Sequence, residues 1–171
     1  RGPAGGALLV WDAESGARLE ALSGAGSGVA SLALSADGVH LAIGRVDEAI
    51  AMSSMYTANH LNVKAIAALT ESGSTVKWMS RISSGIPIYA MTEHVATRRR
   101  VTLYRGVYPI SFQPTESDSQ RINQEVVEEL LRRGAVRDGD LVIITKGDFQ
   151  GIPGGTNVMK ILRVGEHILP D

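Results

Sequence analysis

The sequence contains no cysteine, which excludes disulfides, thiolate chemistry and cysteine-based zinc sites. Four histidines stand at 40, 60, 94 and 167, and no two of them fall at metal-ligand spacing, so no metal site is expected. Charge of either sign is in no surplus: 17 Lys and Arg face 18 Asp and Glu, for a net −1. Without a global basic field the chain is not expected to bind nucleic acid or an anionic membrane surface. Any anion site must therefore be local, built from backbone N–H groups and a few side chains. No apolar run approaches the roughly 18 residues that a membrane helix needs. The first residues, Arg1-Gly2-Pro3-Ala4-Gly5-Gly6, lack a signal-peptide apolar region and an initiator Met, so the chain reads as a fragment or a processed product. What is present is a length of 171 residues, 44% of them apolar. That is enough for one domain with a true core, or one domain with an appendage.

Composition changes near Asp47. Residues 1–46 are rich in Gly, Ala, Ser and Leu. Ala7–Trp11, Ala17–Leu22, Gly28–Leu34 and His40–Gly44 read as short strands, separated by turn compositions such as Asp12–Gly16 and Ser35–Gly38. This is β-meander grammar. The order Leu9-Val10-Trp11-Asp12, Ser15-Gly16, Val29–Gly38 and Leu41–Gly44 resembles a single WD repeat, although the repeat's usual Gly-His pair is missing. One blade buries its faces only against neighbours, so a lone copy must pack on something else, pair with another chain or stay loose.

From Asp47 helical and strand patterns alternate. Asp47–Leu61 reads as a helix with Asp47 as N-cap, and Val63–Leu69 as a buried strand. Gly73–Ile82 reads as a helix, Pro87–Met91 as a strand and Glu93–Arg99 as a short polar helix. Thr102–Phe112 reads as extended, interrupted by Gly106 and Pro109. Asp118–Arg133 carries the strongest helical pattern, with Ile122, Val126, Val127, Leu130 and Leu131 on one face and Gly134 at the stop. Leu141–Thr145 and Val158–Val164 read as strands. Such alternation implies a parallel or mixed sheet flanked by helices. Ligands of these sheets bind beyond the carboxyl ends of the strands.

Two loops qualify. Thr70-Glu71-Ser72-Gly73-Ser74-Thr75 offers four hydroxyls, a glycine that admits close approach, and the N–H groups of a starting helix. These suit a phosphate, while Glu71 would repel one unless it turns away. A plain Ser/Thr-capped helix start explains the same residues. The second loop, Lys146 to Asn157, is rich in Gly and can form an anion nest, with Lys146 adding positive charge. A flexible strand connection explains it as well.

Several stretches together resemble the carboxy-terminal domain of bacterial pyruvate kinases. They are Asp47–Ser53, Leu69–Thr75, Met79–Ala90, Leu103–Pro109, Gly139–Asp148 and Gly154–Asn157, in order and across about 120 residues. The resemblance implies a three-layer α/β/α sandwich with a five-stranded, mainly parallel sheet, preceded by the β-meander appendage of residues 1–46. It implies that Thr70, Ser72, Gly73, Ser74 and Thr75 hold the phosphate of a phosphorylated small-molecule effector. Gly154, Gly155 and Thr156 would belong to the loop that closes over it. A cytoplasmic setting and a homo-oligomer are further implications. The family's chemistry belongs to a TIM-type barrel of roughly 200 residues or more. Residues 1–46 cannot hold such a barrel, so no catalysis is expected, and no cofactor; Mg and K would belong to the absent barrel. Rival readings are a structural or oligomerising module in which the blade-like segment completes a sheet and no ligand binds, or a recombined chimera.

Other residues have plainer readings beside functional ones. Arg98, Arg99 and Arg100 suit a solvated helix end, or a phosphate contact. Arg81 suits a structural bond. Trp78 suits packing at the mouth of the site, or stacking on a base. Glu93 and His94 suit a helix start, or an acid/base pair.

Overall fold

The computed structural model describes residues 8–11, 18–22, 29–34, 41–116, 118–147 and 155–166. The chain divides into two compact units, Arg1–Val46 and Asp47–Asp171. In the first, β1 (Leu8–Trp11) pairs antiparallel with β2 (Arg18–Leu22), and β3 (Val29–Leu34) with β4 (Leu41–Arg45). The turns between these strands, Asp12–Gly16 and Ser35–Gly38 among them, lie outside the described residues.

The second unit follows the order α1 (Val46–His60), β5 (Ala65–Leu69), α2 (Ser74–Ser80), β6 (Ile88–Thr92), α3 (Val95–Val101), β7 (Val107–Ser111), α4 (Ser119–Arg132), β8 (Leu141–Gly147) and β9 (Thr156–Arg163). Its sheet runs β7-β6-β5-β8-β9, parallel throughout except for the antiparallel β8–β9 pair. β5 lies at the centre and is apolar along its whole length because helices cover both faces. Alternation along the strand then sorts its side chains into two cores. Ile66 and Ala68 pack with Ala51, Met55 and Ala58 of α1, Val76 and Met79 of α2, and Val101 of α3. Ala65 and Ala67 pack with Ile122, Val126, Val127 and Leu130 of α4. Each of those larger α4 side chains is buried, and such burial contributes about 1.5–3 kcal/mol apiece. The result is the three-layer α/β/α arrangement.

Helix ends follow local chemistry. The Asp118 carboxylate accepts hydrogen bonds from the N–H groups of Gln120 and Arg121 and caps α4. Gly134, at φ 66, ends that helix, with Ala135 N–H donating to the Leu130 carbonyl. Two expectations are corrected. Asp47 is not an N-cap: it lies within α1, buried, and its carboxylate accepts a hydrogen bond from Ser74 Oγ at 3.0 Å. Residues 102–106 are not extended. Turn bonds from Tyr104 N–H to the Val101 carbonyl and from Val107 N–H to the Tyr104 carbonyl hold them folded, so the strand begins only at Val107.

Candidate functional site

The loop after β5 is anchored before it reaches α2. Thr70 N–H donates to the Met91 carbonyl of β6, which extends the parallel ladder by one residue. Thr70 Oγ1 then accepts from the N–H of Gly73 at 2.8 Å, closing a tight turn. Gly73 stands at φ 79, where a side chain is unfavourable. A Cβ there would also meet Val101 Cγ1 at 2.8 Å, so glycine is required for conformation and for space. α2 begins at the next residue.

The hydroxyls of this loop have specific partners. Ser74 Oγ donates to Asp47 of α1, and Thr75 Oγ1 donates to Thr156 Oγ1 at 2.8 Å in a buried contact. Thr156 opens β9, and Gly155 precedes it; Gly154 lies outside the described residues, as do residues 148–153. The two loops singled out in the sequence therefore meet through one hydroxyl pair, at the carboxyl end of the central strands. Ser72 is half-buried between Glu71 and Gly73.

Glu71 turns toward α3. Its carboxylate lies 2.5 Å from His94 Nε2, and its carbonyl accepts from Thr97 Oγ1 at 2.6 Å. Arg100 Nη1 reaches the Ser72 carbonyl at 3.3 Å, so one member of the basic run touches the loop's main chain. His94 is the N-cap residue of α3, in keeping with the helix-start reading. Trp78 packs against the core beneath α2, with the Arg81 guanidinium 4.9 Å from its ring centroid.

Lys146 stands at the start of the second loop, whose residues 148–154 lie outside the described residues. It shares a face of β8 with Val142 and Ile144, which directs it toward α4. There Nζ donates to the carbonyl and hydroxyl of Ser119 and to Asn123 Oδ1, at 2.7, 2.7 and 2.9 Å. Three donors thus meet three acceptors in a buried setting, tying the end of β8 to the first turn of α4.

A sheet with one glycine-bearing turn after its central strand and a second loop hydrogen-bonded to it invites comparison with known proteins. A family model described as "Pyruvate kinase, alpha/beta domain" matches residues 48–162. The chain belongs to the pyruvate kinase alpha/beta-domain family. Among similar proteins, the pyruvate kinase of Buchnera aphidicola subsp. Baizongia pistaciae is 45% identical over 135 residues, covering 78% of this chain and 28% of that protein. Pyruvate kinase II of Salmonella typhimurium is 49% identical over 120 residues, 70% of this chain and 25% of that protein. The pyruvate kinase of Sporosarcina psychrophila is 42% identical over 123 residues, 72% of this chain and 21% of that protein. The chain thus spans about a quarter of the length of these curated relatives. Its match lies with their α/β domain.

Sequence spacing missed two groupings. Asp47 and Ser74 are 27 residues apart, and Glu71 and His94 are 23 apart. Neither pair shares an element, so no periodicity could join them. The Lys146–Asn123 contact did carry a signal: the alternation of Val142, Ile144 and Lys146 already put the lysine on the α4 face.

Proposed function

We propose that residues 47–171 form a regulatory, phosphate-effector-binding domain of pyruvate kinase type, in a cytoplasmic protein. The carrying observation is the Thr75–Thr156 hydroxyl bond, which couples the turn after β5 to the strand after the Gly-rich loop. A phosphorylated small molecule seated between them would touch both. Thr70, Ser72, Gly73, Ser74 and Thr75 are assigned to its phosphate; Gly154, Gly155 and Thr156 are assigned to the covering loop. Glu71 is compatible with this role because its carboxylate engages His94. Ser74 and Thr75 would exchange a protein partner for a phosphate oxygen, so the free loop is held in shape by the same groups that bind. Phosphoryl transfer depends on metal ions and cationic groups positioned about the transferred phosphate, and this set is assigned to a separate barrel rather than to these 171 residues.

The test is a titration of the full 171-residue chain with a sugar monophosphate, followed by amide NMR. Shifts should concentrate at residues 70–75 and 155–156. Ser72→Ala should weaken binding by roughly 10- to 150-fold, the range for a hydrogen bond to a charged group. Amide signals that stay unmoved at saturating sugar phosphate would overturn the proposal. Pyruvate formation from phosphoenolpyruvate and ADP by the purified chain would overturn its non-catalytic part.

A further inference from the structure

Beside the turn, the ends of β5 and β6 bring together two carboxylates and an imidazole. Glu71 follows β5, while Glu93 and His94 follow β6. One potential ligand atom from each lies within 4.8 Å of the other two. His94 Nε2 stands 2.5 Å from Glu71 Oε2 and 3.9 Å from Glu93 Oε1. We propose that Glu71, Glu93 and His94 form a divalent transition-metal site of the zinc class. This inference does not depend on the phosphate reading.

Three observations carry it. The first is geometry. Zinc takes nitrogen at about 2.0–2.1 Å and carboxylate oxygen at about 2.0–2.2 Å, so tetrahedral ligands lie about 3.3 Å apart. The two separations from His94 Nε2, 2.5 and 3.9 Å, bracket that value, and no pair in the set is more than 4.8 Å apart. The second is charge. Two carboxylates crowd one imidazole, and a dication with a neutral imidazole leaves the set electrically balanced. The third is rigidity of the supporting backbone. Thr70 N–H is bonded to the Met91 carbonyl, the Glu71 carbonyl accepts from Thr97, and His94 N–H donates to Thr92 Oγ1. Both strand ends are therefore fixed before any ion arrives. The imidazole sets the selectivity, favouring zinc, nickel or copper over magnesium and calcium, which prefer all-oxygen shells. All three side chains are at least partly exposed, so an ion has access and the remaining coordination positions belong to water.

The experiment is calorimetric titration of the untagged full chain with zinc chloride, repeated with magnesium chloride. Wild-type chain should bind zinc at a stoichiometry of about one in preference to magnesium. His94→Ala and Glu71→Gln should each weaken zinc by at least the roughly 10- to 100-fold that even outer-shell changes cost. His60→Ala, on an exposed histidine of α1 far along the chain, should not. Circular dichroism of each variant confirms that the fold is retained, and Glu71→Gln preserves an acceptor for His94. Should His94→Ala bind zinc as wild type does, or should magnesium compete equally, the proposal fails and the cluster is an acidic surface only.

Discussion

Replacing Gly73 by alanine tests how tightly the loop is determined. Two costs add. A non-glycine residue near φ 79 sits in the left-handed region, at about 1–2 kcal/mol. The new Cβ would also stand 2.8 Å from Val101 Cγ1, and Val101 is fully buried against α1 and α2, so it has little room to yield. Overpacking of this kind costs about 1–3 kcal/mol. The sum is about 2–5 kcal/mol, a large share of the 5–15 kcal/mol typical of a domain. Gly134→Ala supplies the control. That position has φ 66 and nothing within 4 Å of its Cβ, so it carries the conformational cost alone. Urea denaturation of both variants, followed by circular dichroism, should show Gly73→Ala losing clearly more stability than Gly134→Ala. Adding Val101→Ala to Gly73→Ala should recover part of the difference relative to Val101→Ala alone. Equal losses in the two glycine variants would refute the steric argument, and a negligible loss in both would refute the conformational one.

Lys146→Met should destabilise the chain by about 1–3 kcal/mol in urea, because Asn123 Oδ1 and Ser119 lose a buried donor; Asn123→Leu in the same background should restore part of it. α4 should weaken in acid. Burial pushes the Glu129 carboxyl up, but hydrogen bonds from Arg132 and Arg133 outweigh it and hold the group below the ordinary value. Asp118 is lowered by the N–H groups of Arg121 and Gln120. A depressed folded-state value means that the stabilisation is complete above the unfolded carboxylate range and is lost as pH falls through the lower folded values, so the decline should begin near pH 4. Glu129→Gln should flatten that decline in denaturation measured against pH; an unchanged slope would contradict the assignment.

The sequence made α4 legible because every determinant is local: the Asp118 cap, the apolar face and the Gly134 stop fall within one span. The central strand was legible from its unbroken apolar run. Thr102–Gly106 was not, because a turn secured by backbone bonds back to α3 leaves little mark on side-chain pattern. Asp47 misled for the opposite reason. Its residue type suits a cap, and only the distant Ser74 explains why it sits inside the helix. The turn after β5 was recognisable from its residue types, whereas its link to Thr156 spans 81 positions and depends on the path of the whole sheet.

The irregularity at the start of β9 determines where the chain tolerates changes of length. Lys146 faces Val158 and Gly147 faces Thr156, so Asn157 is an extra residue on one side of the ladder. Because facing alternates along a strand, that single additional unit sets the parity with which Thr156 meets Thr75. Lengthening the segment between 147 and 155 would leave this parity intact. Removing one residue at 157 would shift Thr156 by half an alternation and uncouple the two loops while Thr75 and Thr156 themselves stay unchanged.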